Sequence, residues 1–380
     1  PLPGGEDLVT FQGKQGKLTK SHWQFRPRGN CGKMISDLVP EIGSVADELC
    51  FIHSMTTKTN SHGPGENMMS TGFRFDGFPS LGGWLSYALG SFNDDLPAVV
   101  AIPDPRGGPQ MAGNNWGSGF LPAAFQGTDF NTTKPIHNLA RPAGIDATTD
   151  AHWRAFLKNI NQRHLQQFPE DTDLAARINS YELAARMQLE ASDVLDVSQE
   201  PRHIQELYGS GPHARQMIIA RRMIERGVRF VQVYPSPYGV WDSHNSLRRN
   251  HAAQSAKVDK PVAGLLKDLK RRGMLNDVLV VFCTEFGRTP ACEGRGGGSD
   301  GREHHPHGFT VWFAGAGVKR GFIHGATDEL GFHAVEPGHY VTDIHATVLH
   351  LMGLDGRRLE VPGRKRLEID HGKPIREILT

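Results

Sequence analysis

The sequence predicts an α/β fold in which helices cover both faces of a mostly parallel sheet. Short runs rich in β-branched and aromatic residues alternate along the chain with longer segments that follow a helical pattern. Such alternation favours a parallel sheet, because parallel strands need a crossover connection that is usually a helix. With 380 residues the chain can bury a substantial core, and we interpret residues 1–380 as one elaborated domain.

Five short apolar runs bounded by turn residues are predicted to be buried strands. They are 49–53 (LCFIH), 97–102 (PAVVAI), 228–234 (VRFVQVY), 278–283 (VLVVFC) and 309–314 (FTVWFA). Four segments between them are predicted to be helices, and glycine ends the last two. They are 33–47, 173–190, 216–226 before Gly227, and 258–272 before Gly273.

Two segments depart from this alternation. Residues 104–199 begin with loops rich in proline and glycine and continue as helices, so we predict an insertion that caps the edge of the sheet. Residues 294–301 (GRGGGSDG) predict a flexible loop, which is either a solvated connection or a mobile lid.

The composition excludes several classes of protein. Lys and Arg (42) nearly balance Asp and Glu (41), and no basic run suited to nucleic acid is present. The apolar runs are far shorter than the roughly 20 residues that span a bilayer. The four cysteines form no CxxC pair, whereas the 19 histidines often lie beside Asp or Glu, a composition typical of a metal site as well as of surface histidines.

Polar residues beyond the predicted strands are the main candidates for a site, because ligands of open α/β sheets bind at the carboxyl ends of strands. Asp242 and His244 follow strand 228–234, where both side chains can turn toward one cation. The alternative is a helix N-cap beside a surface histidine.

Glu285 directly follows strand 278–283, so its charge would be costly without a cationic partner. That partner is either a metal ion or Arg288, and Arg288 is also suited to bind an anionic substrate through two hydrogen bonds.

Three histidines, His304, His305 and His307, precede strand 309–314 in the segment GREHHPHG. Imidazole is a common metal ligand, and a neighbouring carboxylate can fix its tautomer. We expect at least one of the three to contact a metal ion or the substrate.

His62 lies in a polar turn ahead of a helical stretch that reaches Gly72, where free backbone N–H groups suit an oxyanion. The alternative is a plain helix start with Met68 and Met69 in the core. Asp343 and His345 are similarly ambiguous, since Asp343 can simply cap the helix that runs on to Met352.

Together these motifs resemble the bacterial family called domain of unknown function 1501, over nearly the whole chain. The stretches that carry the resemblance are NSHGPGENMMSTGF, GFPSLGGWLSYALGS, NNWGSGFLP, YELAARMQL, ARRMIERGVRFVQ, WDSH, CTEFGRTP, GREHHPHGFTVWFAGAGVKRG, GATDELGF and DIHATVLHLMGL. The family is itself similar to the sulfatases of the alkaline phosphatase superfamily. The resemblance implies a three-layer αβα sandwich with a helical and loop insertion.

The resemblance also implies roles for the candidate residues. Asp242, His244, Glu285 and His304 would bind one or two divalent cations (zinc, calcium, magnesium or manganese), and Arg288 would bind the anionic group. Asn115 and Trp116 would line the pocket, with His305 and His307 contacting substrate. His62 stands where sulfatases of the pattern CxPSRxxLLTG carry their modified cysteine, so formylglycine chemistry is excluded. It would be a covalent nucleophile, a metal ligand or a general base.

Members of that family usually begin with a twin-arginine export leader and a first strand with a Gly-Pro-Ser and Asp motif. The N-terminal stretch PLPGGEDLVTFQGKQG resembles the part that follows both, so we expect that strand to be absent from this chain. The resemblance implies a periplasmic or secreted protein.

The expected function is therefore metal-dependent hydrolysis of sulfate or phosphate esters, with a small molecule or a carbohydrate ester as substrate. One alternative is a catalytically impaired relative that binds an anionic glycan. The other is a histidine-rich metalloenzyme of another class, with copper or iron.

Overall fold

The computed structural model describes residues 9–10, 13–132, 144–293, 300–363 and 371–380. The strands of these ranges are β1 (Val9–Thr10), β2 (Gly13–Leu18), β3 (Phe25–Arg28), β4 (Lys33–Ser36), β5 (Leu49–Thr56), β6 (Val99–Ile102), β7 (Thr128–Asp129), β8 (Phe230–Val233), β9 (Leu279–Phe282), β10 (Gly287–Glu293), β11 (Arg302–His305), β12 (Phe309–Gly315), β13 (Phe322–His324) and β14 (His339–Tyr340). The helices are α1 (Pro40–Gly43), α2 (His62–Thr71), α3 (Leu81–Leu89), α4 (Ala147–Gln167), α5 (Thr172–Leu195), α6 (Arg202–Tyr208), α7 (Pro212–Glu225), α8 (Leu247–Arg271) and α9 (Val341–Leu351).

The largest sheet has the order β13-β5-β12-β9, and β14 also pairs with β5. Strands β13 and β14 run parallel to β5, whereas β12 runs antiparallel to both β5 and β9. The prediction of a mostly parallel central sheet is therefore not confirmed. The reason is the connection from β9 to β12, which is the antiparallel hairpin β10–β11 rather than a crossover helix.

Apolar side chains cover this sheet on both faces. On β5, Cys50 and Ile52 enter one core cluster and Leu49 and Phe51 enter the other, as the alternation of side chains along a strand requires. Helices α2, α3 and α9 supply apolar residues to the first cluster, and α8 supplies them to the second. The central strands are thus buried on both sides, as the sequence predicted.

All five predicted strands form, as β5, β6, β8, β9 and β12. Helices α5, α7 and α8 form in the predicted segments 173–190, 216–226 and 258–272, with α7 and α8 each ending one residue early. The predicted helix 33–47 is wrong, because this stretch forms β4, the short α1 and a 3₁₀ turn. Pro40 begins α1 and lacks the N–H that a continuous helix would need there. The carboxylate of Asp47 turns back to accept the backbone N–H groups of Asn30 and Cys31.

The predicted insertion, residues 104–199, contains 3₁₀ turns, β7, α4 and α5 in its described part. Its role as a separate cap remains a prediction. Most of the predicted loop 294–301 and the start of the chain lie outside the described residues. Among those described, no helix is both long enough and apolar enough to cross a bilayer.

A buried ion cluster joins α7 to α8. Oε1 of Glu200 lies 2.6 Å from Nη2 of Arg221 and 2.5 Å from Nη1 of Arg222, and Nε of Arg221 lies 3.2 Å from Oδ2 of Asp268. Because Glu200, Arg221 and Asp268 are almost fully buried, losing one member leaves charges that water cannot solvate.

We therefore expect Glu200→Gln to lower the free energy of unfolding by about 3–5 kcal/mol, measured by urea denaturation. Glu206→Gln is the matched control, because Glu206 forms an exposed pair with Arg202. Its loss should cost less than about 1 kcal/mol. Equal effects of the two substitutions would contradict the importance of the buried cluster.

Candidate functional site

Four connections bring polar side chains to one place at the edge of the sheet. The start of α2 supplies His62, the loop between β8 and α8 supplies Asp242 and His244, and the segment after β9 supplies Glu285. The hairpin β10–β11 supplies Arg288 and His304, which are direct cross-strand partners. We call the cluster formed by these residues the Asp242 cluster.

The carboxylate of Asp242 lies at its centre and faces three imidazoles. Its Oδ2 is 3.2 Å from Nε2 of His62 and 3.2 Å from Nε2 of His244, and its Oδ1 is 3.2 Å from Nε2 of His304. Nη1 of Arg288 approaches Oδ1 to 2.5 Å. Three histidine nitrogens thus converge on one carboxylate.

Each of these imidazoles is held from behind through Nδ1. His62 Nδ1 lies 2.8 Å from Oε1 of Glu285, and His244 Nδ1 lies 2.8 Å from Oε2 of Glu293. His304 Nδ1 lies 2.6 Å from the backbone oxygen of Asn60. In a neutral ring these acceptors favour a hydrogen on Nδ1, which leaves the lone pair of Nε2 pointing toward Asp242.

Backbone contacts fix the loop that carries Asp242 and His244 against β11. The N–H of Arg302 donates to the carbonyl of Ser243 at 3.1 Å, and the N–H of Leu247 donates to the carbonyl of Asp300 at 2.9 Å. A side chain at Gly301 would place its Cβ 1.9 Å from the carbonyl oxygen of His244. Only glycine permits this approach, so Gly301 is needed to set the position of His244.

Aromatic rings surround the histidines. The buried ring of Phe286 lies 5.1 Å from the ring of His62 and 4.6 Å from that of His304. The exposed ring of Tyr238 meets His62 edge to face at 5.4 Å. The rings of Phe286 and Tyr238 leave Asp242 accessible on one side, and its side chain is 19% exposed.

The charges of the cluster shift its pKa values. Burial lowers the pKa of His62, but the carboxylates of Asp242 and Glu285 outweigh burial and raise it to about 9. Burial raises the pKa of Asp242, but its close contacts with the imidazoles of His304 and His62 and the charge of Arg288 hold it well below its usual range. The pKa of Glu285 is lowered, because the contact with His62 outweighs its burial.

The cluster contains two overlapping sets of groups with the spacing of metal ligands. His62, Asp242 and His304 form one, and His244, Glu303 and His304 form the other, with the ligand atoms of each within 4.8 Å of one another. Nε2 of His62 is buried and makes no hydrogen bond of acceptable geometry although Asp242 is close. A cation between the two would satisfy both groups, so the residues fit a metal ion.

The structure brings together six of the residues singled out in the sequence, namely His62, Asp242, His244, Glu285, Arg288 and His304. Glu285 stands behind His62 rather than among the two sets of ligand atoms. Its contact with α2 is close, since a Cβ on Gly65 would lie 3.0 Å from Cβ of Glu285.

Asn115 and Trp116, expected to line the pocket, are buried beside α2. The amide of Asn115 contacts Glu66 and Ser70, and the ring of Trp116 packs near Tyr234. These contacts give both residues a packing role, and their expected contact with substrate remains a prediction.

His305 and His307 follow His304 but contact a different part of the chain. The ring of His305 packs at 4.1 Å on Phe332, and its Nε2 contacts the carbonyl of that residue. The ring of His307 lies 5.6 Å from that of His333. Burial lowers the pKa of His305 to about 4.

Asp343 caps α9 by accepting a hydrogen bond from the N–H of Tyr340, which is the capping role that the sequence left open for this residue.

Three further groups contact the histidines of the cluster, and the sequence alone assigned no role to them. Glu303 is adjacent to His304 in the sequence, and its Oε1 lies 3.9 Å from Nδ1 of His244. Glu293 reaches His244 only because β10 and β11 pair across the segment between them. The carbonyl of Asn60 carries no signal in the sequence at all.

The raised pKa of His62 makes the stability of the metal-free protein depend on pH. Protonated His62 stabilises the folded state fully below pH 6.5, and this contribution is lost as pH rises through about 9. In chelator-treated protein, the difference in unfolding free energy between wild type and His62→Gln should shrink by up to about 3 kcal/mol over this range.

The exposed His203 provides the control, because His203→Gln should leave the pH profile of the wild type unchanged. Urea denaturation at intervals of pH measures all three proteins. Parallel profiles for wild type and His62→Gln would show that the carboxylates do not hold a proton on His62.

A family model described as "Protein of unknown function (DUF1501)" matches residues 3–379. A search of curated proteins gives no match. Phosphonate monoester hydrolase SpPMH from Silicibacter pomeroyi is similar in structure with a TM-score of 0.42 and 12% identity, over 90% of this chain and 71% of that one. Ps i-CgsB in complex with k-i-k-neocarrahexaose gives 0.42 and 13%, over 85% and 67%.

Proposed function

Since the chain belongs to the family of proteins of unknown function DUF1501, we propose that it is a metal-dependent hydrolase of phosphate or sulfate esters. One observation carries the proposal: the Nε2 atoms of His62, His244 and His304 converge on the carboxylate of Asp242. Each imidazole is oriented through Nδ1 by a separate acceptor, an arrangement typical of metal ligands.

In this proposal His62, Asp242, His244 and His304 are the metal ligands. Glu285, expected from the sequence to be a ligand, is assigned instead to orient His62, because its Oε1 engages Nδ1 at 2.8 Å. Of the three roles expected for His62, namely nucleophile, metal ligand and general base, we favour that of a metal ligand. A nucleophile would need its Nε2 directed toward substrate, whereas this atom faces Asp242.

The donor set narrows the choice of metal. Three imidazoles and one carboxylate suit zinc or another transition metal better than calcium or magnesium, which prefer oxygen ligands. A bound divalent cation would act as a Lewis acid that polarises a phosphoryl or sulfuryl oxygen and assists attack by water.

The remaining groups are suited to hold the ester. The guanidinium of Arg288 is 24% exposed at the open side of Asp242, where its free N–H groups can bind two oxygens of an anionic group. The exposed ring of Tyr238 can pack against the organic part of the substrate. Phe286 keeps water from the other side of His62 and His304.

Asp242→Asn tests the proposal, because it removes the charge on which the ligands converge. We expect the purified wild type to contain stoichiometric zinc, or another of the divalent metals, and to hydrolyse an aryl phosphate or aryl sulfate. The variant should lose the metal and at least about 100-fold of this activity. Elemental analysis and chromogenic assays measure the two effects.

Asp277→Asn is the matched control, because Asp277 is an exposed carboxylate next to β9. It should keep both metal and activity. Metal-free wild-type protein would contradict the proposal, and so would metal-loaded protein inactive on both esters. Stoichiometric copper with a visible absorption band would indicate a metalloenzyme of another class.

A second substitution separates the two roles considered for Glu285. If Glu285 orients His62, the substitution Glu285→Ala should weaken metal affinity by about 10–100-fold and leave the stoichiometry intact at saturating metal. If Glu285 is a ligand, Glu285→Ala should lose the metal as Asp242→Asn does. Metal titration by calorimetry distinguishes the two, and Glu285→Gln should give a smaller effect because its amide oxygen can still accept from Nδ1.

A further inference from the structure

A second group of metal-binding side chains lies at the ends of β13 and β14. His324, His339 and Glu377 place one ligand atom each within 4.8 Å of one another, and the group shares no residue with the Asp242 cluster. Both strands pair parallel with β5, through His324 opposite Ile52 and His339 opposite Met55. The positions of the two histidines are therefore set by the central sheet.

The two imidazoles face each other through the same kind of atom. Nε2 of His324 lies 2.7 Å from Nε2 of His339. Nδ1 of His339 lies 3.5 Å from Oδ2 of Asp343, and backbone N–H groups of Tyr340 and Lys373 hold that carboxylate in place. This partner favours a hydrogen on Nδ1 and so leaves the lone pair of His339 Nε2 directed at His324.

We propose that His324, His339 and Glu377 bind one divalent transition-metal ion of the zinc type. Two imidazole nitrogens and a carboxylate oxygen match the ligands of zinc, and they are too rich in nitrogen for calcium or magnesium. His324 is 8% exposed, whereas Glu377 is exposed and leaves a path for the ion and for water as a further ligand. The nearby Lys319 donates from Nζ to the carbonyl of Glu377, so its positive charge lowers the affinity of the site for a cation.

The ion would link the two ends of the loop formed by residues 325–338, because His324 precedes this loop and His339 follows it. The loop packs against the segment after β11: the N–H of Ala334 donates to the carbonyl of His307 at 2.7 Å, and Phe332 packs on His305. Closing a loop at its ends lowers the entropy of its open states. The ion thus supports the strand that carries His304 without itself taking part in ester hydrolysis.

Hydrogen–deuterium exchange of the chelator-treated full chain, with and without zinc, tests the proposal. Zinc should slow exchange in peptides that cover residues 322–340 and 371–380, in wild type and equally in Asp242→Asn. In His339→Gln this protection should vanish, and zinc per chain should fall by about one equivalent. Glu377→Gln should weaken zinc binding at this site at least about tenfold.

His203→Gln is the matched control for the loss of a histidine, and it should retain the wild-type response. Because Glu377 is exposed, its substitution tests the site even if His339→Gln folds poorly. Zinc protection confined to peptides around Asp242 and His304 would overturn the proposal. Zinc content unchanged in both His339→Gln and Glu377→Gln would overturn it as well. Neither outcome depends on the hydrolase activity.

Discussion

The carboxylate of Asp242 is the group on which the rest of the site depends. It is only partly exposed, yet it faces three imidazole nitrogens and one guanidinium. Each imidazole is held through Nδ1 by an acceptor from a different part of the chain. The site therefore forms only when β5, β9 and the hairpin β10–β11 have assembled, and it is a product of tertiary packing rather than of one motif.

Local patterns predicted β5, β6, β8, β9 and β12, because each is a short run of apolar, β-branched or aromatic residues bounded by turn residues. They predicted the direction of pairing poorly. The run that forms β12 carries the same apolar signal whether it lies parallel or antiparallel to β5, and only the connection through β10 and β11 decides between them. The prediction for segment 33–47 failed for a related reason, since its apolar spacing resembles a helix while the turn after β4 and Pro40 divide it.

The site could be anticipated where a residue closely follows a strand at the edge of the sheet, as Glu285 follows β9. Residue type alone could not choose among His304, His305 and His307, because the pairing register decides which of them faces the cluster. His304 reaches Asp242 because it lies opposite Arg288, whereas His305 on the same strand packs against Phe332. The family resemblance implied that Asn115 lines the pocket, but its amide forms hydrogen bonds with Glu66 and Ser70 in the interior. Side-chain direction, not residue type, separates these cases.

The balance of charge constrains how such a site would bind an anionic ester. Asp242, Glu285, Glu293 and Glu303 contribute four carboxylates, and among the described contacts of the cluster Arg288 is the permanent cation. With neutral imidazoles the cluster carries an excess of three negative charges, and protonation of His62 removes only one. An approaching phosphate or sulfate would be repelled until a divalent cation bound, because Arg288 already pairs with Asp242. A divalent cation would therefore govern substrate affinity as well as reactivity, and it would have to bind before the ester.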